Sequence, residues 1–193
     1  MKLLIGLGNP GREHLRNRHN MGFLMVDAWV SAHRGEFNKE EFRSHIARVK
    51  MPGGEDVLVM KPLTYMNRSG DALAEAMSFF KIPLADIIVV HDELDIPPCS
   101  FRIKTNGGHG GHNGLRSILH LGDNFVRVRM GIGRPENAAF DIADYVLGNL
   151  SEEEWSYWEK NIPAVNEAID MCVSGQVDTA MNKFNRQPKK IED

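Results

Sequence analysis

Cysteine is scarce in this chain: there are two among 193 residues, Cys99 and Cys172. Two distant thiols make neither a disulfide framework nor a zinc pair, and they fit a reducing cytoplasm. No Gly-x-Ser-x-Gly elbow is present, which removes the usual signature of an activated serine. Cys99 follows two prolines and Cys172 falls in a helical stretch, and neither has an evident base. Covalent catalysis is therefore poorly supported, and water is the expected nucleophile of any hydrolysis. No apolar run reaches the roughly 20 residues of a membrane span. Met1-Lys2 leads straight into a strand-like run, which predicts no signal peptide. An excess of one charge sign is missing too. Lys plus Arg number 23 and Asp plus Glu 26, for a net charge of −3. No global positive field announces a polyanionic partner.

What is present is a chain of ordinary globular composition, long enough for one domain with a sizeable core over residues 1–193. No repeat, linker or low-complexity segment divides it. Strand-like and helix-like stretches alternate, so the expected class is α/β. Residues 1–7 read as a buried strand and 8–20 as a loop. Residues 22–33 carry an imperfect apolar stripe at helical spacing. Residues 42–50 and 56–61 read as a hairpin around Pro52-Gly53-Gly54. A helix follows, with Asn67 or Ser69 as its cap, and Pro83 stops it. Ile87-Ile88-Val89-Val90 is the clearest buried strand. Residues 101–104 read as an edge strand, and a glycine-rich loop over 107–114 feeds a helix at 115–121. Residues 126–132 alternate Val, Arg, Val, Arg, Met, which predicts one buried and one basic face. Ser151 and Glu154 match a capping box. The helix after them is expected to kink or break at Pro163. A last helix spans 177–184 and ends in a charged tail.

Charge is uneven along the chain. Between residues 100 and 134 there are six basic residues (Arg102, Lys104, Arg116, Arg127, Arg129, Arg134) against one acid, Asp123. Between 136 and 170 there are nine acids against Lys160 alone. The first block can form a basic face for a polyanion, and the second reads as a solvated helical surface.

Several motifs compete for the chemistry. Gly6-x-Gly8-x-x-Gly11 matches the dinucleotide fingerprint in letters. However, that fingerprint needs a helix to open at the glycines, and here a polar loop of about ten residues intervenes. His109 and His112, with His14 and His19, are conceivable metal ligands. Glycines on both sides of His109 and His112 give them a poor frame. Asp92 with Asp95 is a conceivable magnesium pair. The better pair is His19 with Asp92. An imidazole near neutrality can take a proton from water. A carboxylate on its other nitrogen fixes the tautomer and stabilises the imidazolium. Asn9, Asn67 and Asn113 each sit at a strand end or helix start. Singly each suits a cap or turn. Together they suit a substrate presenting carbonyls and amides, such as a peptide.

These stretches resemble those of the bacterial peptidyl-tRNA hydrolase family. The resemblance rests on Gly6-Leu7-Gly8-Asn9-Pro10-Gly11, Arg18-His19-Asn20-x-Gly22, the run from Lys61 to Asn67 with Ser69-Gly70, His91-Asp92-Glu93-Leu94-Asp95, the run from Gly107 to Ile118, and the run from Arg129 to Pro135. Order and spacing agree from residue 1 to about 148. The resemblance implies a twisted mixed β-sheet flanked by helices. It also implies a cytoplasmic monomer that cleaves the ester between a peptide and tRNA, recycling tRNA from prematurely released peptidyl-tRNA without metal or cofactor. It makes His19 the general base, Asp92 the group holding His19 basic, and Asn9 the sensor of a blocked amino group. Asn67 and Asn113 match residues that hold the peptide backbone and the water or ester. Tyr65 and the position of His14 match residues near the tRNA 3′ end, and Lys104 and Arg129 match basic positions expected to meet the acceptor stem.

Two departures stand out. The family commonly has Tyr where this chain has His14, and residues 136–144 are acidic where some relatives carry lysines. With the net charge of −3, this predicts weaker or more localised tRNA binding. The rival readings are a non-catalytic RNA-binding relative and a nucleotide-cofactor oxidoreductase. The intact set of His19, Asp92, Asn9, Asn67 and Asn113 argues against the first, and the second rests on the three glycines alone.

Overall fold

The computed structural model describes residues 1–186; the charged tail expected after the last helix lies outside them. Seven strands form one sheet: β1 (Lys2–Gly6), β2 (Lys39–Glu41), β3 (Ser44–Lys50), β4 (Asp56–Pro62), β5 (Ile87–Glu93), β6 (Phe101–Thr105) and β7 (Val126–Gly131). Their order is β2-β3-β4-β1-β5-β7-β6. The middle four strands run parallel, and antiparallel pairs finish both edges. The α/β class and mixed sheet expected from the sequence are both present.

The apolar runs of β1 and β5 are unbroken because both sheet faces are covered. Leu4, Val59, Ile88, Val90 and Val128 belong to the core shared with α1 (Met21–Ala32), α5 (Glu152–Val173) and α6 (Val177–Phe184). Leu3, Ile5, Met60 and Val89 belong to the opposite core, with α2 (Ser69–Phe80) and α3 (Asn113–Leu119). This period-two division of one strand between two cores is what a buried strand requires.

The structure departs from the sequence reading at definable places. Phe42 and Arg43 have left-handed backbone, with φ of 52° and 51°, so β3 starts only at Ser44. Neither Asn67 nor Ser69 caps α2: Ser69 is its first residue, and its Oγ donates to the Met66 carbonyl at 2.8 Å. The break expected at Pro163 is absent, and α5 runs through it. An interior proline costs about 3 kcal/mol. The apolar residues beyond it, Val165, Ala168, Ile169 and Cys172, are all buried, and burying Val165 and Ile169 alone is worth about 1.5–3 kcal/mol each, which offsets that cost. The Ser151–Glu154 capping box is formed on both sides. One helix escaped the sequence reading: α4 (Ile142–Leu147), six residues opened by Asp141, whose side chain accepts from the Asp144 N–H. β7 does not present an open basic face either. Arg127 is 3% exposed, and its guanidinium donates to the carbonyls of Gly107 and Gly108.

Candidate active site

The first, fourth and fifth strands end side by side, which is where an open α/β sheet places its ligands. β1 and β5 are bonded neighbours, as are β1 and β4. Past β1 the chain must slip under α1, and glycine makes room for it. A methyl group on Gly22 would lie 2.3 Å from the Val90 carbonyl oxygen and 2.4 Å from the Leu7 nitrogen. One on Gly6 would lie 2.5 Å from the Gly22 carbonyl oxygen. Gly6 and Gly8 of the fingerprint-like run therefore serve helix–strand packing, a methyl group on Gly8 meeting the Phe23 ring of α1, whereas Gly11 is needed for its φ of 115°. A single 3₁₀ turn follows Gly11 at Arg12–His14, and the next α-helix opens only at Met21, ten residues after Gly11, so no α-helix N-terminus faces them.

His19 sits in a single 3₁₀ turn just before α1. The turn is anchored to the segment after α4: Arg18 N–H donates to the Gly148 carbonyl, and Asn17 Nδ2 donates to Asn149 Oδ1. Asp92, 3% exposed, comes from the end of β5. His19 Nδ1 lies 2.9 Å from Asp92 Oδ2 and 3.0 Å from Oδ1. The pairing read from the sequence is therefore present.

A second imidazole, not assigned a catalytic place from the sequence, meets the same carboxylate. His112 Nε2 lies 2.9 Å from Asp92 Oδ1. His112 is also the N-cap of α3, where its Nδ1 accepts from the N–H groups of Gly114 and Leu115. An acceptor Nδ1 carries no hydrogen, so Nε2 does, and it donates to Asp92. His19 has no such helix bond. Its Nδ1–H donates to Asp92, which leaves a lone pair on Nε2. The sequence signal for His112 was its place in the glycine loop just before a helix, where a side-chain acceptor is wanted.

Electrostatics follow from this grip. Burial works against a charged His19, yet the Asp92 charge and hydrogen bond outweigh it and raise its pKa above 6.5. Burial likewise works against ionised Asp92, but His19 and His112 hold it well below the usual carboxylate range. His91, fully buried beside them, is pushed down to about 3 by burial and by neighbouring His112. Its Nδ1–H donates to the Asp92 carbonyl at 2.7 Å.

The asparagines divide their work. Asn20 clasps the Asn9 backbone: its Oδ1 accepts the Asn9 N–H at 2.8 Å and its Nδ2 donates to the Asn9 carbonyl at 2.9 Å. Asn9 Oδ1 accepts the Met66 N–H at 2.9 Å. What Asn9 has left to offer is the donor Nδ2. Asn113 Oδ1 accepts from Arg116, which likewise leaves its Nδ2 available. Asn9, His19, Tyr65, Asn67, Asp92, His112 and Asn113 all line one cleft of about 440 Å³. His14, Lys104 and Arg129 do not line it. His14 Nδ1 instead bonds Asn17 Oδ1 at 2.6 Å. Arg129 has its Nη1 3.9 Å from Glu93, which does line the cleft.

His19, Asp92 and His112 lie close enough to be considered as a metal set. Chemistry speaks against it, because the two nitrogens turned to Asp92 carry hydrogens and have no lone pair to give. His109 is spent within its own loop, its Nδ1 accepting from Gly111 N–H. Asp95, the other half of the magnesium pair, bonds Arg134 and is not directed at Asp92.

Residues 3–192 match the model of the family described as Peptidyl-tRNA hydrolase. The chain belongs to the peptidyl-tRNA hydrolase family. A peptidyl-tRNA hydrolase of Anaeromyxobacter sp. strain K is 41% identical, with all of both chains aligned. One from Parvibaculum lavamentivorans is 44% identical over 98% of this chain and 95% of its own. Among solved structures, the peptidyl-tRNA hydrolase of Acinetobacter baumannii superposes with a TM-score of 0.89 at 40% identity, covering 96% of this chain and 94% of its own. A peptidyl-tRNA hydrolase solved with N-propanol gives a TM-score of 0.90 at 39% identity, covering 98% and 96%. Membership of the peptidyl-tRNA hydrolase family accords with the site's chemistry. The cleft offers an imidazole lone pair, a buried carboxylate behind it, and amide donors around it. Among the described residues no helix is long and apolar enough to cross a membrane.

Proposed function

We propose that this chain hydrolyses the ester joining a peptide's last residue to the terminal ribose of tRNA, returning free tRNA to translation in the cytoplasm, and that it acts as a monomer. His19 Nε2 takes a proton from water, and the water oxygen attacks the ester carbonyl. Asp92, on Nδ1, stabilises the imidazolium that forms. The oxyanion is met by amide donors: Asn113 Nδ2, Asn67, or backbone N–H groups of the 107–114 loop. His19 then gives its proton to the departing ribose oxygen. The products are a peptide carboxylate and a tRNA hydroxyl, and no electrons or phosphoryl groups move. The observation that carries this reading is the unshared lone pair of a buried His19, backed by Asp92, in a cleft lined with asparagine amides.

Asn9 supplies the selectivity for blocked amino groups. Its Oδ1 is taken by Met66 N–H, so it meets the substrate as a donor. A peptide carbonyl accepts that hydrogen bond. The ammonium of a free aminoacyl ester brings donors only and finds no acceptor on Asn9. Tyr65, 63% exposed at the cleft mouth, is suited to meet the terminal nucleotide. Lys104 and Arg129, outside the cleft, are assigned to phosphates of the acceptor stem. His14 is assigned to the same 3′ end.

The test is release of tRNA from an N-acetylated aminoacyl-tRNA, with free aminoacyl-tRNA and His19→Ala in parallel. Cleavage of the blocked ester, sparing of the free one, and a loss of about 10²–10⁴-fold in the variant are expected. Full activity in His19→Ala rejects the mechanism.

A further inference from the structure

The cleft is lined by two chemically different sets of groups. One is the polar set already described. The other is apolar: Leu94 just past β5, and Ile142, Val146 and Leu147 of α4. Val146 is buried and ties α4 to the core. Ile142 and Leu147 remain 38% and 43% exposed, although they line the cleft. Large apolar side chains left open inside a concave site are what an apolar ligand group covers. Arg18 stacks on Tyr145 of α4, but it is paired with Glu154 at 3.2 Å and does not line the cleft. Among the described residues no lysine or arginine lines the cleft, and the carboxylates that do are Asp92 and Glu93. Asp141 caps the same helix and Asp144 lies in its first turn. Glu93 has Arg129 only at 3.9 Å.

Resting on the hydrolase reading, the ester carbon must come within reach of a water held on His19. The side chain of the esterified residue branches from the very next atom, so it falls inside the same cleft. We propose that Leu94, Ile142, Val146 and Leu147 form a subsite for the side chain of the esterified residue, so that the enzyme favours peptidyl-tRNAs ending in an apolar residue and disfavours those ending in an acidic one. An apolar side chain covers Ile142 and Leu147 and leaves water. An acidic side chain loses solvation against the same wall, finds no cation, and faces Glu93.

The experiment uses one tRNA body carrying N-acetyl-leucine, N-acetyl-glycine or N-acetyl-aspartate, so that contacts to the nucleic acid are constant. Rates of kcat/KM are corrected for spontaneous ester hydrolysis. The leucyl ester is expected about tenfold above the glycyl one, the low end for an apolar pocket. The aspartyl ester is expected about tenfold below the glycyl one. Ile142→Lys then puts a cation on the wall at a half-exposed position, and it is expected to shrink the roughly hundredfold leucyl-over-aspartyl ratio by about tenfold. Cleavage of all three esters within about twofold of one another overturns the subsite and leaves the hydrolase reading standing. An unchanged leucyl-to-aspartyl ratio in Ile142→Lys, with circular dichroism showing a folded variant, overturns it as well. If none of the three is cleaved, the hydrolase reading falls and takes the subsite with it.

Discussion

Asp92 is shared by two imidazoles: its carboxylate accepts Nδ1–H of His19 at 2.9 Å and Nε2–H of His112 at 2.9 Å. The two rings differ in freedom. His112 is fixed as the Nε2–H tautomer because α3 holds its Nδ1. His19 is fixed by Asp92 alone. Asp92→Asn places an amide NH₂ against two N–H donors, and one of them must give way. His112 cannot without losing its cap, so His19 turns its hydrogen to Nε2 and ceases to be a base. The expected loss in kcat/KM is about 10²–10⁴-fold. The His19 midpoint, followed by NMR of its ring protons, lies above 6.5 in the wild type and drops below it in the variant, since burial then acts unopposed. An unmoved midpoint counts against Asp92 as the cause.

His112 gives a prediction of opposite sign. His112→Asn retains a side-chain acceptor suited to an N-cap, so the α3 cap should hold, and the stability lost, about 1.5–3 kcal/mol, is that of a hydrogen bond to a buried carboxylate. The donor to Asp92 is lost. The carboxylate then acts on His19 alone, and the His19 midpoint should move up. The activity profile on its acid side should move up with it, because a base with a higher pKa is protonated at a higher pH. A downward shift would show that His112 supports His19 by some route other than Asp92.

The sheet, the main helices and the His19–Asp92 pair were legible in the sequence for physical reasons. Ile87-Ile88-Val89-Val90 is apolar on every residue because both faces are covered, and long amphipathic or capped stretches such as Ser151–Glu154 announce themselves locally. What was hidden depends on contacts far apart in the chain. Arg127 alternates with valine like a surface residue, yet the 107–108 carbonyls draw it inward. Six-residue α4 is too short for its periodicity to register. Asn20 was legible as part of a motif, but its clasp on the Asn9 backbone belongs to the fold. His112 was a loop histidine until α3 fixed one nitrogen and Asp92 the other.

Asn9→Asp tests the donor argument for selectivity. A carboxylate still accepts the Met66 N–H, so the local fold should hold. It offers the substrate an acceptor instead of a donor. Blocked esters lose a hydrogen bond and free aminoacyl esters gain a partner for their ammonium. The ratio of the two kcat/KM values should fall by about tenfold or more, in line with 1.5–3 kcal/mol for a hydrogen bond to a charged group. A preserved ratio would move the selectivity elsewhere in the cleft.

His91 makes stability depend on pH in a definable window. It is buried and neutral, with a folded pKa of about 3, whereas an unfolded chain protonates it near 6.5. Between those values the unfolded state binds one more proton, so stability declines as pH falls, by about 1.4 kcal/mol per unit. Asp92, depressed in the fold, adds a loss in the same direction only below its unfolded pKa of about 3.9. His19, raised in the fold, contributes stability that is full below about 6.5 and fades above it. Urea midpoints between pH 6 and pH 4 therefore report mainly on His91. His91→Asn should flatten that decline, and parallel curves for the two proteins would reject the assignment.

Salt dependence separates the cleft from the tRNA contacts. Among the described residues no Lys or Arg lines the cleft, and the residues expected to meet phosphates number few: Lys104, Arg116, Arg129 and Arg134. Arg134 is partly neutralised by Asp95, and Arg129 by Glu93. A plot of log affinity for tRNA against log salt should therefore be shallow, its slope set by a few released ions at about 0.9 per phosphate of a duplex stem. Lys104→Ala removes one such contact at an exposed position on β6, weakening binding and reducing the slope by about one. Turnover of a minimal N-blocked aminoacyl-adenosine, which lacks the stem, should be unaffected by that variant. A slope corresponding to about eight or more ions would mean that the acidic segment after residue 136 does not limit the tRNA footprint. Loss of the minimal reaction in Lys104→Ala would place that lysine at the ester rather than on the stem.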